Sequence, residues 1–64
     1  MYAIICIVGK DHYERATKDD FPTIEEARTY KATISKSLEP LIIPDYALDD
    51  AIQINNERLE KEAN

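Results

Sequence analysis

The run Tyr2-Ala-Ile-Ile-Cys-Ile-Val8 leaves this chain few ways to fold. Its β-branched residues and the Gly9 that follows them mark a strand. Side chains alternate between the faces of a strand, so Ile4, Cys6 and Val8 share one side and Ala3, Ile5 and Ile7 the other. Both sides are apolar. Water therefore has to be excluded from above and below, which puts this strand in the middle of a sheet. Every later element must either pair with it or cover one of its faces.

Gly9-Lys10-Asp11 has turn chemistry, and His12 to Lys18 can return as an antiparallel partner. With Lys10-Asp11 as the loop, Cys6 falls opposite Arg15 and Gly9 opposite His12. The mixed residues His12, Glu14, Arg15 and Lys18 suit a sheet edge, where charge discourages pairing with other chains. Asp19-Asp20-Phe21-Pro22 ends the hairpin. Thr23-Ile-Glu-Glu26 reads as a capping box, in which Thr23 accepts from the Glu26 amide and the Glu26 carboxylate reaches back. From Ile24 to about Ser37 the spacing is helical, with Ile24, Ala27, Tyr30, Ile34 and Leu38 on one stripe. Pro40 enforces the stop, because the residue before a proline is pushed out of helical angles.

Leu41-Ile42-Ile43 reads as a short buried strand closed by Pro44. Asp45 is placed to cap a second helix of about residues 46–62, with Leu48, Ala51, Ile52, Asn55 and Leu59 on its inner face. Ile54 lies well away from that stripe, and Asp49, Gln53, Asn56, Glu57 and Glu60 lie towards the opposite side. The expected architecture is a single small α+β domain over residues 1–64, in the order ββαβα. A right-handed crossover makes the third strand parallel to the second. It then lies antiparallel to the first, giving a three-stranded, mainly antiparallel sheet of order 2-1-3. One helix cannot cover both faces, so either the second helix or a second subunit covers the other.

At 64 residues the chain is a small scaffold of the kind that disulfides, metals or oligomerisation usually support. Cys6 is the only cysteine and His12 the only histidine, which rules out an internal disulfide and a structural zinc site built from these types. Homo-oligomerisation, as in a homodimer, is the support left open. The lone thiol and the absence of a leader pattern point to a reducing cytoplasm, that of a host cell if the chain is phage-encoded. Tyr2 to Val8 is far too short to span a bilayer, so no membrane association is expected. A net charge of −5 argues against direct contact with nucleic acid, which calls for clustered Lys and Arg. Lys10, Arg15 and Lys18 come nearest to a cluster, and Asp11, Glu14, Asp19 and Asp20 dilute it.

Catalytic constellations are not expected either. Cys6 and His12 are the sole candidate nucleophile and base, and the hairpin separates them along the ladder. Cys6 is then a small core residue and His12 a solvated turn residue. The acid pairs Asp19/Asp20, Glu25/Glu26 and Asp49/Asp50 read as caps and solvated faces, since so short a chain offers little cleft for paired carboxylates. One glycine cannot build a phosphate-cradling loop or a calcium loop. Ser35 and Ser37 have no second histidine to activate them. No catalytic residue, metal ligand or cofactor is assigned.

The excess negative charge is concentrated at one end. Asp45 to Asn64 holds Asp45, Asp49, Asp50, Glu57, Glu60 and Glu62 against Arg58 and Lys61. Two readings compete for this surface. In the first it keeps a small protein soluble, with Glu57 and Lys61 forming an i, i+4 pair. In the second, carboxylates along a rigid rod imitate nucleic-acid phosphates and dock on a basic protein surface. Asp49, Asp50, Glu57 and Glu60 then supply the electrostatics, Gln53 and Asn56 complete the contact, and Ile54 is its apolar anchor. Tyr13, Tyr30 and Tyr46 are further candidates for such an anchor or for ordinary core.

The run Phe21-Pro-Thr-Ile-Glu-Glu-Ala27, continuing through Tyr30 to Pro40-Leu-Ile-Ile43, resembles a pattern in short phage and mobile-element proteins. Those typically begin with an apolar strand after the initiator Met, as Tyr2 to Val8 does. The resemblance covers about the first two thirds of the chain. It implies a small inhibitor of host or defence machinery, of the anti-CRISPR or anti-restriction kind. It carries over no functional residue, and the acidic helix lies outside it. The expected function is thus a non-enzymatic binding protein that blocks a nucleic-acid-handling protein through its acidic helix. The alternative is a self-associating structural or regulatory module with no foreign target.

Overall fold

The computed structural model describes residues 1–9 and 12–63, and Lys10 and Asp11 of the expected hairpin loop lie outside them. The fold is α+β: strands β1 (Tyr2–Val8), β2 (His12–Arg15) and β3 (Leu41–Pro44) form an antiparallel sheet of order β2-β1-β3. Helix α1 (Ile24–Lys31) lies between β2 and β3 in sequence, and helix α2 (Leu48–Ala63) follows β3. Short 3-10 turns at Lys36–Leu38 and Asp45–Ala47 flank β3.

β1 is central, as its two apolar faces require. Ala3, Ile4 and Ile5 have no exposed surface and Cys6 retains 8%. Tyr13 stands opposite Ile7 and therefore shares the face of Ala3 and Ile5. Its hydroxyl meets Arg58 of α2, so α2 covers that face. Phe21 bridges Tyr2 on the other face, and its ring lies 5.4 Å from that of Tyr30 in α1. α1 therefore covers the side of Ile4 and Cys6, with Ala27 fully buried at the contact. Both covers come from the chain itself, and the second face needs no second subunit.

The hairpin register differs from expectation by one residue. Val8 pairs with His12, Ile7 with Tyr13, Cys6 with Glu14 and Ile5 with Arg15, which leaves three residues in the loop. The reason is burial of the one large apolar side chain of β2. A one-residue slip would turn Tyr13 to the opposite face and put His12 and Glu14 beneath α2. In the observed register Tyr13 is 1% exposed while Glu14 stays in solvent. His12 is consequently a half-buried strand residue, not a turn residue. Gly9 takes a positive φ of 67°, a conformation that glycine enters without steric cost.

β2 also ends sooner than the expected Lys18. After the Ala16 amide bonds to the Ile4 carbonyl at 2.7 Å, the chain leaves the ladder and rejoins it at Phe21. There it exchanges bonds of 2.8 and 2.7 Å with Tyr2. Arg15 holds the excursion, pairing with Asp20 and donating to the Thr17 carbonyl at 2.7 Å.

α1 stops at Lys31 rather than near Ser37. Thr23 caps its start, accepting from the Glu26 amide at 3.2 Å. No bond from Glu26 back to the Thr23 amide closes the box among the described residues. At the far end the Thr33 hydroxyl and amide both reach the Tyr30 carbonyl, at 2.6 and 2.9 Å. Thr33, Ile34 and Ser35 are weak helix formers whose side chains compete with or crowd the backbone, so the stop precedes Pro40 by several residues. Ser35 begins the 3-10 turn instead, and Glu39 enters the left-handed region at φ 48° before Pro40. Ile34 is half-buried, whereas Tyr30 and Leu38 stay 42% and 38% exposed, so the stripe expected beyond Lys31 is only partly packed.

β3 is half-buried at the sheet edge rather than fully buried. The Asp45 amide bonds to the Met1 carbonyl at 2.9 Å. That register turns the Pro44 nitrogen away from β1, where its missing proton costs the ladder nothing. Asp45 makes no side-chain cap for the following turn; its carboxylate lies 3.6 Å from the Met1 amino group. Among the described residues, no helix is long and apolar enough to cross a membrane.

Candidate functional site: the outward face of the acidic helix

α2 is regular from Leu48 to Ala63, and its geometry follows from which residues it must bury. Leu48, Ala51, Ile52, Asn55 and Leu59 are half-buried against the sheet. At 100° per residue that arc faces the side of Ile5 and leaves Asp50, Ile54, Glu57 and Lys61 on the opposite side. Asp49, Gln53 and Glu60 run along the flank between them.

Asp49, Asp50, Gln53, Glu57 and Glu60 are all exposed, and Ile54 keeps 64% of its surface. Asp50 and Glu57 stand two turns apart, about 10 Å along the axis, with Ile54 between them. Neither Asp49 nor Asp50 is held by an ion pair or side-chain hydrogen bond among the described residues. Both lie in the first turn of α2, where the positive end of the helix dipole favours acids. Glu57 accepts from Gln53 at 3.3 Å and does not pair with Lys61; an i, i+4 ion pair joins Arg58 and Glu62 instead, at 3.5 Å.

Asn56 is placed differently from the other candidates. It is half-buried, and its Oδ1 accepts the proton of the Tyr13 amide. The Ala16–Ile4 bond fixes the ladder so that Tyr13 directs its amide away from β1, towards the edge. Asn56 therefore satisfies an edge donor and ties α2 to β2. Asn56→Ala is expected to lower stability by about 1–3 kcal/mol by leaving that donor unmet. Urea unfolding followed by circular dichroism reads the change, and hydrogen exchange at the Tyr13 amide should quicken with it.

Arg58 was not singled out from sequence. Its Nη2 donates to the Tyr13 hydroxyl at 3.1 Å, and its guanidinium lies 5.9 Å from the Tyr13 ring centre. It also donates to Asn55 at 3.4 Å. This cation is engaged with Tyr13 and Asn55 at the helix–sheet seam and with Glu62 near the helix end, and it pairs with neither Asp49 nor Asp50. The sequence shows its i, i+4 spacing to Glu62, but its contact with Tyr13 spans 45 residues and has no local signal.

Basic residues gather at a place the sequence does not signal. Arg15 is occupied by Asp20, and Lys10 lies outside the described residues. Arg28, Lys31 and Lys36 instead line a groove of about 590 Å³ together with Ala32, Ile34 and Pro40. They gather there because α1 stops early and the chain turns back. Cys6 is buried as a free thiol opposite Glu14, and His12 Nε2 lies 3.4 Å from Glu14 Oε1. Among the described residues, no three His, Cys, Asp or Glu side chains converge to hold a metal ion. Tyr46, 87% exposed, is the barest aromatic of the three named as anchors, whereas Tyr13 is core.

Comparison of the chain with models of known protein families, with curated proteins and with solved structures finds no match in any of the three.

Proposed function

We propose that this protein is a non-enzymatic binding protein that presents the outward face of α2 to a basic surface on a protein partner. The observation that carries the reading is the pairing state of the first turn: Asp49 and Asp50 are exposed and unneutralised while Arg58 is held at the seam. A row that opens with two unpaired carboxylates, Asp49 and Asp50, on a fixed helix attracts a cationic surface without first breaking an ion pair there. Ile54 beside that row supplies the apolar contact that raises affinity once water is expelled. Asn56 supports the face from below rather than joining it.

Surfaces that bind nucleic-acid phosphates are basic grooves of this kind, so an inhibitor of a nucleic-acid-handling protein, such as a defence nuclease, is the partner class the acidic row suits best. Occupying the groove would exclude nucleic acid by competition, with no chemistry required of the inhibitor.

The test compares the wild-type chain with the Asp49→Lys/Asp50→Lys variant on two immobilised columns. A nucleic-acid-binding protein retained by the first, lost from the second and released by salt of about 0.5 M supports the reading. Adding the wild-type chain should also displace nucleic acid from that protein, and the variant should do so at least tenfold less well. Equal retention on both columns rules out the acidic face as the contact.

A further inference from the structure

α1 and α2 cover opposite faces of the sheet, and each leaves a charged surface facing outward. Beside α1, Arg28, Lys31 and Lys36 line a groove of about 590 Å³ together with the apolar Ala32, Ile34 and Pro40. No ion pair holds any of these three cations among the described residues, although the chain has a net charge of −5. The dipole of α1 favours Arg28 and Lys31 in its last turn, but Lys36 stands beyond the helix, in the 3-10 turn. The groove therefore gathers more positive charge than the helix end calls for. What fits it is a convex ridge with an apolar centre and acids on either side.

The outward face of α2 carries an exposed apolar residue with acids before and after it, and Lys61 follows them. Ile54 projects at 64% exposure between Asp50, one turn before it, and Glu57, about one turn after it. Ile54 meets the apolar lining of the groove and the carboxylates of Asp50 and Glu57 meet its cations, so the two surfaces are complementary in charge. They lie on opposite sides of one sheet, which prevents a protomer from satisfying both by itself. We propose that the protein associates with a second copy of itself head to tail, the α2 ridge of one copy seated in the α1 groove of the next. Such a contact uses two different patches, so it propagates along a chain of copies unless the rotation closes a ring. It also covers apolar surface on a protein whose size leaves it a small core.

The contact involves the ridge named above but does not depend on any foreign partner. Sedimentation of the full chain across concentration should show species heavier than the monomer at low salt. They should dissociate in about 0.5 M salt, where screening acts over roughly 4 Å. Asp50→Lys/Glu57→Lys removes the ridge and Arg28→Glu/Lys36→Glu removes the groove. Each double variant alone is expected to stay monomeric with an unchanged circular dichroism spectrum. Mixed in equal amounts, they retain one good groove and one good ridge, and should form a one-to-one dimer that grows no further. A mixture that stays monomeric, or single variants that assemble as the wild type does, overturns the proposal. Should charge reversal unfold the end of α1, Arg28→Gln/Lys36→Gln takes its place, with association weakened about tenfold or more. A wild-type chain that remains monomeric throughout also overturns it, and leaves the foreign-partner reading standing.

Discussion

Tyr13→Ala is expected to leave the protein largely unfolded in buffer. Tyr13 is 1% exposed and the largest of the fully buried side chains. Its ring fills the space between β2 and α2, its hydroxyl accepts from Arg58, and its amide donates to Asn56. Truncating a buried aromatic to alanine costs about 3–5 kcal/mol through lost transfer energy and the cavity left behind. For 64 residues the whole stability is roughly 3–10 kcal/mol, so this single loss consumes much of it. Tyr13→Phe separates packing from polarity. It keeps the ring beneath the guanidinium and removes only the hydroxyl acceptor, for about 1 kcal/mol. Urea titration by circular dichroism should show a cooperative transition for Tyr13→Phe at slightly lower denaturant. For Tyr13→Ala it should show little native baseline. A Tyr13→Ala protein that unfolds cooperatively within about 1 kcal/mol of the wild type would mean that α2 is not docked through this residue.

Tyr13 also marks where sequence reading succeeded and where it stopped. The central strand was legible because seven consecutive residues with no charge on either face have only one comfortable place in a sheet. From that the order β2-β1-β3 followed, since the hairpin puts β2 on one side of β1 and leaves the other side to β3. Register was not legible. Turn chemistry at Gly9-Lys10-Asp11 admits a two- or three-residue loop, and the choice is made by which loop buries Tyr13, a fact about α2 forty residues away. The end of α1 departs from its sequence pattern for a related reason. An apolar stripe through Ile34 and Leu38 continues the helical period, but the hydroxyls of Thr33 and Ser35 offer the backbone nearer partners.

The candidate surface divides in the same way. The exposure of Asp49, Asp50, Gln53, Ile54, Glu57 and Glu60 follows from the inner stripe of α2, because one face of a helix determines the other. Asn56 sits at the border of that stripe, and only the position of the β2 edge decides that it turns inward. The basic groove had no local signature either. Arg28, Lys31 and Lys36 span nine residues of sequence and converge only because the helix gives way to a turn between them. Surfaces built within one helix can be read from periodicity, while surfaces built by a chain reversal cannot.

Three isoleucines allow the two-sided burial of β1 to be tested against the openness of α2. Ile4 and Ile5 are adjacent, point to opposite faces and are both completely buried. Ile4 lies on the side covered by α1 and Ile5 on the side covered by α2. Alanine at either position is expected to cost about 2–5 kcal/mol, the range for large-to-small changes in a packed core. If one face were open to water, its residue would lose far less, because an exposed methyl group contributes little to burial. Ile54→Ala should change stability by no more than about 0.5 kcal/mol, since that side chain already stands in solvent. Its effect should fall instead on association: weaker binding to a basic partner or to a second copy, with the unfolding midpoint unmoved. Comparable losses at Ile4 and Ile5, with none at Ile54, would establish that both helices are committed to the core and that the ridge of α2 is left over for binding. A marked asymmetry between Ile4 and Ile5 would show that one helix is not seated on its face, and the surface attributed to it would have to be redrawn.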